Sequence, residues 1–297
     1  MRQRLQHRAE QTGTRTGNDP SQHKKKTVGA YVETEEDRPE TIFQHFQSFI
    51  AASSLVFFFT TVATSGIVGS CCIPFIYGLK AYCIFLAICW AVNQLPSFYS
   101  RKLWGSNFMI SMWRASSRYY SPFRFIRPAE PFDDTKTYIF ASHPHGRLFV
   151  GTSIFMGLFP VNFPELWGKS RNLFCGANDL MFSFAFVRQV MEFLSTIPVN
   201  RKSLEGKLRR GDSIFVLPGG INEVLEGTYD DRDVLYLARR KGFCKLAMEF
   251  GSGVVPCFCF GENMLFQHDS ETRRVDNRTQ NASSHTRSTI AAFICAF

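Results

Sequence analysis

The chain has 297 residues, ample to bury a core; 45% are hydrophobic, 31 of them Phe, and 34 Lys+Arg against 25 Asp+Glu leave a net charge of +9. A basic chain calls for an anionic partner, but the basic residues carry no recognisable nucleic-acid reading motif, which excludes DNA or RNA and leaves a bilayer. Nor do the nine cysteines form a disulfide grid: most lie in apolar runs and read as small buried hydrophobes in a reducing compartment.

Residues 1–40 are rich in Gln, Thr, Arg and Lys before an acidic run from Glu33 to Asp37, and are expected to be disordered. Residues 41–100 read as an N-terminal membrane helical hairpin. No Asp, Glu, Lys or Arg occurs from Thr41 to Leu79, and after Lys80 the next charge is Arg101. A spanning helix needs roughly 20 apolar residues, so two are predicted, over 47–69 and 73–95, with a tight reversal or re-entrant break near Pro74, close to Gly66, Gly69 and Gly78. The bland alternative is a buried core hairpin of a soluble protein. Lys24, Lys25, Lys26 and Arg38 precede the run, and Arg101, Lys102, Arg114 and Arg118 follow it, which places both flanks in the cytosol. The run begins too late for a secretory signal, so the hairpin itself is the expected targeting element.

Residues 101–131 form an aromatic, basic connector suited to a membrane interface. Beyond it, strands are predicted at Tyr138–Ala141, Asn172–Cys175, Ser213–Leu217 and Val254–Phe260, with helices at about 148–158, 180–194, 203–210 and 233–250. That alternation predicts an α/β fold, a sheet with packed helices, over a catalytic domain at 101–266. Residues 267–297 turn polar and irregular before the apolar end IAAFICAF.

Two strand ends carry the candidate chemistry. In Tyr138-Ile-Phe-Ala-Ser-His143-Pro-His145-Gly146, Pro144 stiffens the backbone between two histidines, and Gly146 permits close backbone approach to a ligand. An imidazole suits deprotonation of an attacking alcohol. His145, beside flexible Gly146, is favoured as the base. Half of a metal site and a merely structural turn are the competing readings; no second pair of ligand spacing accompanies His-x-His, so no metal is expected. In Ser213-Ile-Phe-Val-Leu-Pro218-Gly219-Gly220-Ile-Asn222-Glu223, the glycines can let backbone N–H groups converge on an oxyanion or phosphate, and Glu223 can orient a catalytic histidine.

Together, HPHG at 143–146, RKSLEGKLRRGDSIFVLPGGINEVLEG at 201–227 and RKGFCKLAMEFGSGVVPCFCFGEN at 240–263 resemble the type-2 diacylglycerol acyltransferase family, in order and at similar spacing, over roughly 40–266. The resemblance implies a glycerolipid-acyltransferase-like sheet with its site at the cytosolic face of the endoplasmic reticulum membrane, both termini cytosolic, extending onto lipid droplets. It implies acyl-CoA as co-substrate, no other cofactor, and diacylglycerol as acceptor, with monoacylglycerol or a fatty alcohol as the alternatives; homo-oligomers are among the states it admits. His143, His145 and Glu223 are the expected catalytic residues; Gly146, Arg201, Lys202, Pro218, Gly219, Gly220 and Asn263 are expected to contact substrate.

The wider glycerolipid group places an Asp five positions after its histidine, whereas Leu148 and Val150 stand there in this chain, so Glu223 is the expected orienting group. Arg201, Lys202, Lys207, Arg209 and Arg210 could meet the phosphates of CoA, or form only a solvated helix face. Relatives continue past Asn263 with further core elements, so a catalytic domain incomplete at its C-terminus, weakly active or inactive and acting only as a membrane-associated protein, is also expected.

Overall fold

The computed structural model describes residues 24–28, 31–36, 41–94, 101–120, 122–167, 172–184, 187–226, 228–229, 232–265 and 293–295. The expected disorder of residues 1–23 and most of the tail beyond 265 lie outside the described residues. Within 1–40, however, Lys24–Val28 (β1) and Tyr31–Glu36 (β2) pair as antiparallel strands, contrary to the expectation of disorder. Two runs with β-branched residues, joined by the dipeptide Gly29-Ala30, are a hairpin signal that the polar composition concealed.

One helical run follows, Ile42–Asn93 (α1). It opens on a capping box in which Thr41 Oγ1 accepts from the Gln44 N–H and Gln44 Oε1 accepts from the Thr41 N–H. Its helical geometry breaks at Gly78, at φ 78° and ψ 173°, four residues beyond Pro74. Among the described residues no helix is long and apolar enough to cross a membrane, so the spanning hairpin expected from the uncharged run does not emerge.

Arg101–Trp104 (α2) and Asn107–Tyr119 (α3) make up the connector, and Phe123–Pro128 (β3) brings the chain onto the sheet. The rest alternates: Tyr138–His143 (β4), Val150–Asn162 (α4), Leu173–Ala177 (β5), Val187–Phe193 (α5), Thr196–Pro198 (β6), Arg201–Leu208 (α6), Ser213–Val216 (β7) and Ile221–Glu226 (α7). A two-residue-stranded ribbon, Thr228–Tyr229 (β8) with Arg232–Asp233 (β9), precedes Gly242–Phe250 (α8) and Gly253–Cys259 (β10). The helix expected at 233–250 therefore forms only over its second half.

The nine-stranded sheet runs β1-β2-β3-β11-β10-β4-β7-β5-β6, where β11 is Phe293–Cys295 from the closing apolar segment. From β10 to β6 all neighbours are parallel. All six residues of β4 are buried because helices cover both faces. Phe140 meets Phe155 and Phe159 of α4 on one side, with ring centroids 6.0 and 5.6 Å away. Ile139 and Ala141 join Leu204, Leu208 and Leu246 of α6 and α8 on the other. Much of the phenylalanine content thus fills the α4 side of the sheet. α3 closes on α4 where Gly157 has no Cβ: one would lie 2.1 Å from the Trp113 ring.

Candidate functional site

Parallel strands end at one edge of a sheet, which is where α/β folds assemble sites. Here three neighbours, β7, β4 and β10, release Glu223, the two histidines and Glu262 at that edge. His143 closes β4, and its Nδ1 lies 2.8 Å from Oε1 of Glu223 on the first turn of α7. Both side chains are buried, at 6% and 1% exposure.

Glu223 also accepts the His145 backbone N–H on Oε2, at 2.9 Å, and the Tyr236 N–H on Oε1, at 3.0 Å. An ionised carboxylate is an acceptor for all three groups, so His143 carries its proton on Nδ1. Nε2 is then the lone-pair nitrogen, and it is buried without a hydrogen-bond partner among the described residues. This is the tautomer a general base needs.

His145, the histidine expected as the base, does not direct its side chain at Glu223. Its Nδ1 lies 2.9 Å from the Gly146 carbonyl, and only its backbone meets Glu223. Burial pushes the His145 imidazole below its ordinary pKa, against the Gly146 carbonyl and the Glu223 charge, which favour protonation. A stiff His-Pro-His segment turned His143, not its neighbour, onto the carboxylate.

The glycines serve the carboxylates as well as the turns. A Cβ on Gly219 would lie 1.8 Å from Glu223 Cδ. A Cβ on Gly146, which sits at φ 62°, would lie 2.4 Å from Glu262 Cγ. The close approach expected of Gly146 toward a ligand is therefore an approach to Glu262. Gly220 adopts φ 57° with open space around it, and its N–H donates to the Leu217 carbonyl within the turn that Pro218 begins.

Glu262 was not singled out from the sequence, although it lies in the FGEN motif. It is 1% exposed, and its Oε2 accepts the Gly151 N–H at 2.8 Å and the Cys259 thiol at 3.3 Å. The backbone N–H groups of Val150 and Thr152, in the same first turn of α4, also favour its charged form. α4 starts at Phe149 in a left-handed conformation with no side-chain cap of its own, so Glu262 supplies the cap from across the sheet. Burial nonetheless raises its carboxyl to about 7, outweighing those donors. Asn263, half-buried, follows in the same short turn, Glu262–Met264.

Of the basic pair at the start of α6, Arg201 bonds Glu205 and Glu249, while Lys202 lines a separate polar cavity. An apolar cavity of about 620 Å³ lies where α1, α3 and α5 meet, lined by residues such as Ala51, Met112, Trp113, Val190 and Leu194 and by no charged side chain. That volume is in the range of sites for lipid- and drug-sized ligands.

Residues 74–295 match the family model described as "Diacylglycerol acyltransferase". Mouse diacylglycerol O-acyltransferase 2-like protein 6 is 30% identical over 173 residues, covering 57% of this chain and 50% of that protein. Human 2-acylglycerol O-acyltransferase 1 is 29% identical, covering 61% and 54% respectively. Diacylglycerol O-acyltransferase 2 of Dictyostelium discoideum is 33% identical, covering 52% and 46%. The chain thus spans about half the length of these relatives. No solved structure matches it.

Proposed function

The chain belongs to the diacylglycerol acyltransferase family, and we propose that it transfers an acyl group from acyl-CoA directly to a lipid alcohol, with His143 as general base. The observation that carries this is the buried His143–Glu223 pair, whose geometry leaves Nε2 bare. Nε2 takes the proton of the acceptor hydroxyl as its oxygen attacks the thioester carbonyl. The imidazolium so formed is held by Glu223, then returns the proton to the departing CoA thiolate. The acyl ester and free CoA are the products, and no acyl-enzyme forms.

Two nucleophilic alternatives among the described residues, Cys175 and Ser142, lack activation. Burial pushes the Cys175 thiol up to about 12, so it holds no thiolate at neutral pH. Ser142, adjacent to His143, has a buried hydroxyl with no hydrogen-bond partner, hence no base to deprotonate it.

Relatives are named for diacylglycerol and for 2-acylglycerol acceptors, and the reading for this chain is an acylglycerol, diacylglycerol first. The uncharged cavity supports it, since it offers an acyl chain an apolar lodging whose wall includes Trp113, the residue packed on Gly157 of α4, the helix that follows the HPHG turn. Expression in cells lacking neutral-lipid synthesis, with diacylglycerol, monoacylglycerol and fatty alcohol supplied in turn, tests both activity and acceptor. Absence of every acyl ester would defeat the proposal.

On this reading the site works at the cytosolic face of the endoplasmic reticulum membrane, on a hairpin that dips in and returns at Gly78. Two contacts support the return: Ala51 shares a cavity wall with Gln189, and Gln189 Nε2 donates to the Val92 carbonyl at 2.7 Å. A straight helix would hold Ala51 and Val92 about 60 Å apart. Exposed Phe43, Phe46, Phe49 and Trp90 present the apolar surface such an anchor needs. The sequons at Asn277 and Asn281, outside the described residues, should then stay unglycosylated; a glycosidase-sensitive mass shift abolished by their conversion to Gln would refute this topology.

A further inference from the structure

The cations of the 201–210 stretch divide into two sets. Arg201 bonds Glu205 and Glu249, and Arg209 reaches Glu205 at 3.7 Å. Lys202, Lys207 and Arg210 pair with no carboxylate among the described residues, and all three line one cavity of about 490 Å³ along α6 and β6.

Lys207 is the informative member. It is half-buried, with Nζ 3.5 Å from the Phe174 ring centroid, and burial lowers its pKa although Asp212 and Glu192 oppose the shift. Asp212 accepts from the backbone and side chain of Asn172, and Glu192, which lines the same cavity, pairs through Oε1 with Arg188 at 3.0 Å, its Oε2 buried without a hydrogen-bond partner among the described residues. A cation held partly out of water with no counter-ion, beside two more, costs stability that a bound anion would offset. A merely solvated helix face would not bury its lysine.

We propose that this cavity binds the phosphorylated nucleotide end of acyl-CoA through Lys202, Lys207 and Arg210; the inference rests on the acyl-transfer reading above. The cavity is roomier than a single phosphate ion requires and accommodates a nucleotide-sized group. Its position is consistent with reach. β6 ends at Pro198 on the same sheet edge as His143, separated from β4 by β7 and β5. Three interstrand steps put those strand ends about 14 Å apart. Lys202 stands on the first turn of α6 at that edge, while Lys207, further along α6, and Arg210, just past its end, lie toward the strand starts, so the phosphates and the flexible pantetheine arm together must cover both distances.

The test is titration of CoA and of 3′-dephospho-CoA onto the full chain in detergent micelles, alongside KM for acyl-CoA. Lys207→Gln and Arg210→Gln should each weaken CoA binding about tenfold, more steeply at low salt, and raise KM with kcat retained. Lys207→Arg should restore binding, and Lys245→Gln, an equal loss of charge on exposed α8, should change nothing. CoA affinity within twofold of wild type in the Lys207→Gln/Arg210→Gln double variant, or no CoA binding by the wild-type chain, would overturn the site. Cation-dependent CoA binding by a wild-type chain that transfers no acyl group would uphold the site and defeat the acyl-transfer reading instead.

Discussion

Gly146 and Glu262 interlock: the glycine of the histidine turn leaves the space that the buried carboxylate occupies, and a Cβ there would lie 2.4 Å from Glu262 Cγ. The same relationship recurs between Gly219 and Glu223, at 1.8 Å to Cδ. Gly146→Ala combines this overlap with a positive φ and should destabilise by about 2 kcal/mol or more. Gly219→Ala, with an overlap but no left-handed φ, should displace Glu223 and cost turnover. Gly220→Ala meets open space, so only its φ is charged against it, about 1 kcal/mol. Thermal melts of the three variants check the order; a Gly220→Ala variant less stable than Gly146→Ala would contradict it.

Glu262 sets a second expectation, in pH. Its folded carboxyl titrates near 7, above the ordinary glutamate value, so between about 4.5 and 7 the folded chain holds a proton that the unfolded chain has released. Stability therefore falls as pH rises through that window and levels off above it, by as much as about 3 kcal/mol from this group. Glu262→Gln keeps an acceptor for the Gly151 N–H but no titrating group, so its stability should be flatter over the same window. Glu262→Ala loses the α4 cap and should cost about 1–3 kcal/mol at any pH. Parallel melting curves for wild type and Glu262→Gln from pH 4.5 to 8 would contradict the assignment.

These two glutamates differ in how visible they were. Glu223 and the histidines could be read because each follows a strand of four or more apolar residues that ends in Gly or Pro, and such strands betray themselves locally. The strand before Glu262 was equally legible at Val254–Phe260, and the signal was a third strand end running into Gly-Glu. What hid it was Asn263 beside it, the more usual ligand-binding residue type. Nothing local announces β6, three residues long, or β11, whose partners β3 and β10 come from distant parts of the chain. Which of His143 and His145 meets Glu223 also escaped, because it depends on the register between β4 and β7. The break in α1 falls at Gly78, one of the glycines beside Pro74 where a reversal is expected, since a glycine reaches φ 78° without strain.

The apolar cavity predicts a chain-length effect. Val190→Trp places a large ring in a space of about 620 Å³ that no charged side chain lines. Turnover with long-chain acylglycerols should fall several-fold while short-chain acceptors are retained. A uniform loss across chain lengths in a variant of unchanged Tm would remove the cavity from the lipid path.

The most direct test of the His143–Glu223 base is kcat for His143→Gln, His145→Gln and Glu223→Gln at matched abundance. His143→Gln should lose about 10²-fold or more, and Glu223→Gln should be similarly weak because an amide cannot stabilise the imidazolium. His145→Gln, whose backbone N–H still reaches Glu223, should lose less than His143→Gln. Near wild-type turnover by His143→Gln, or a larger loss in His145→Gln than in His143→Gln, would contradict the account.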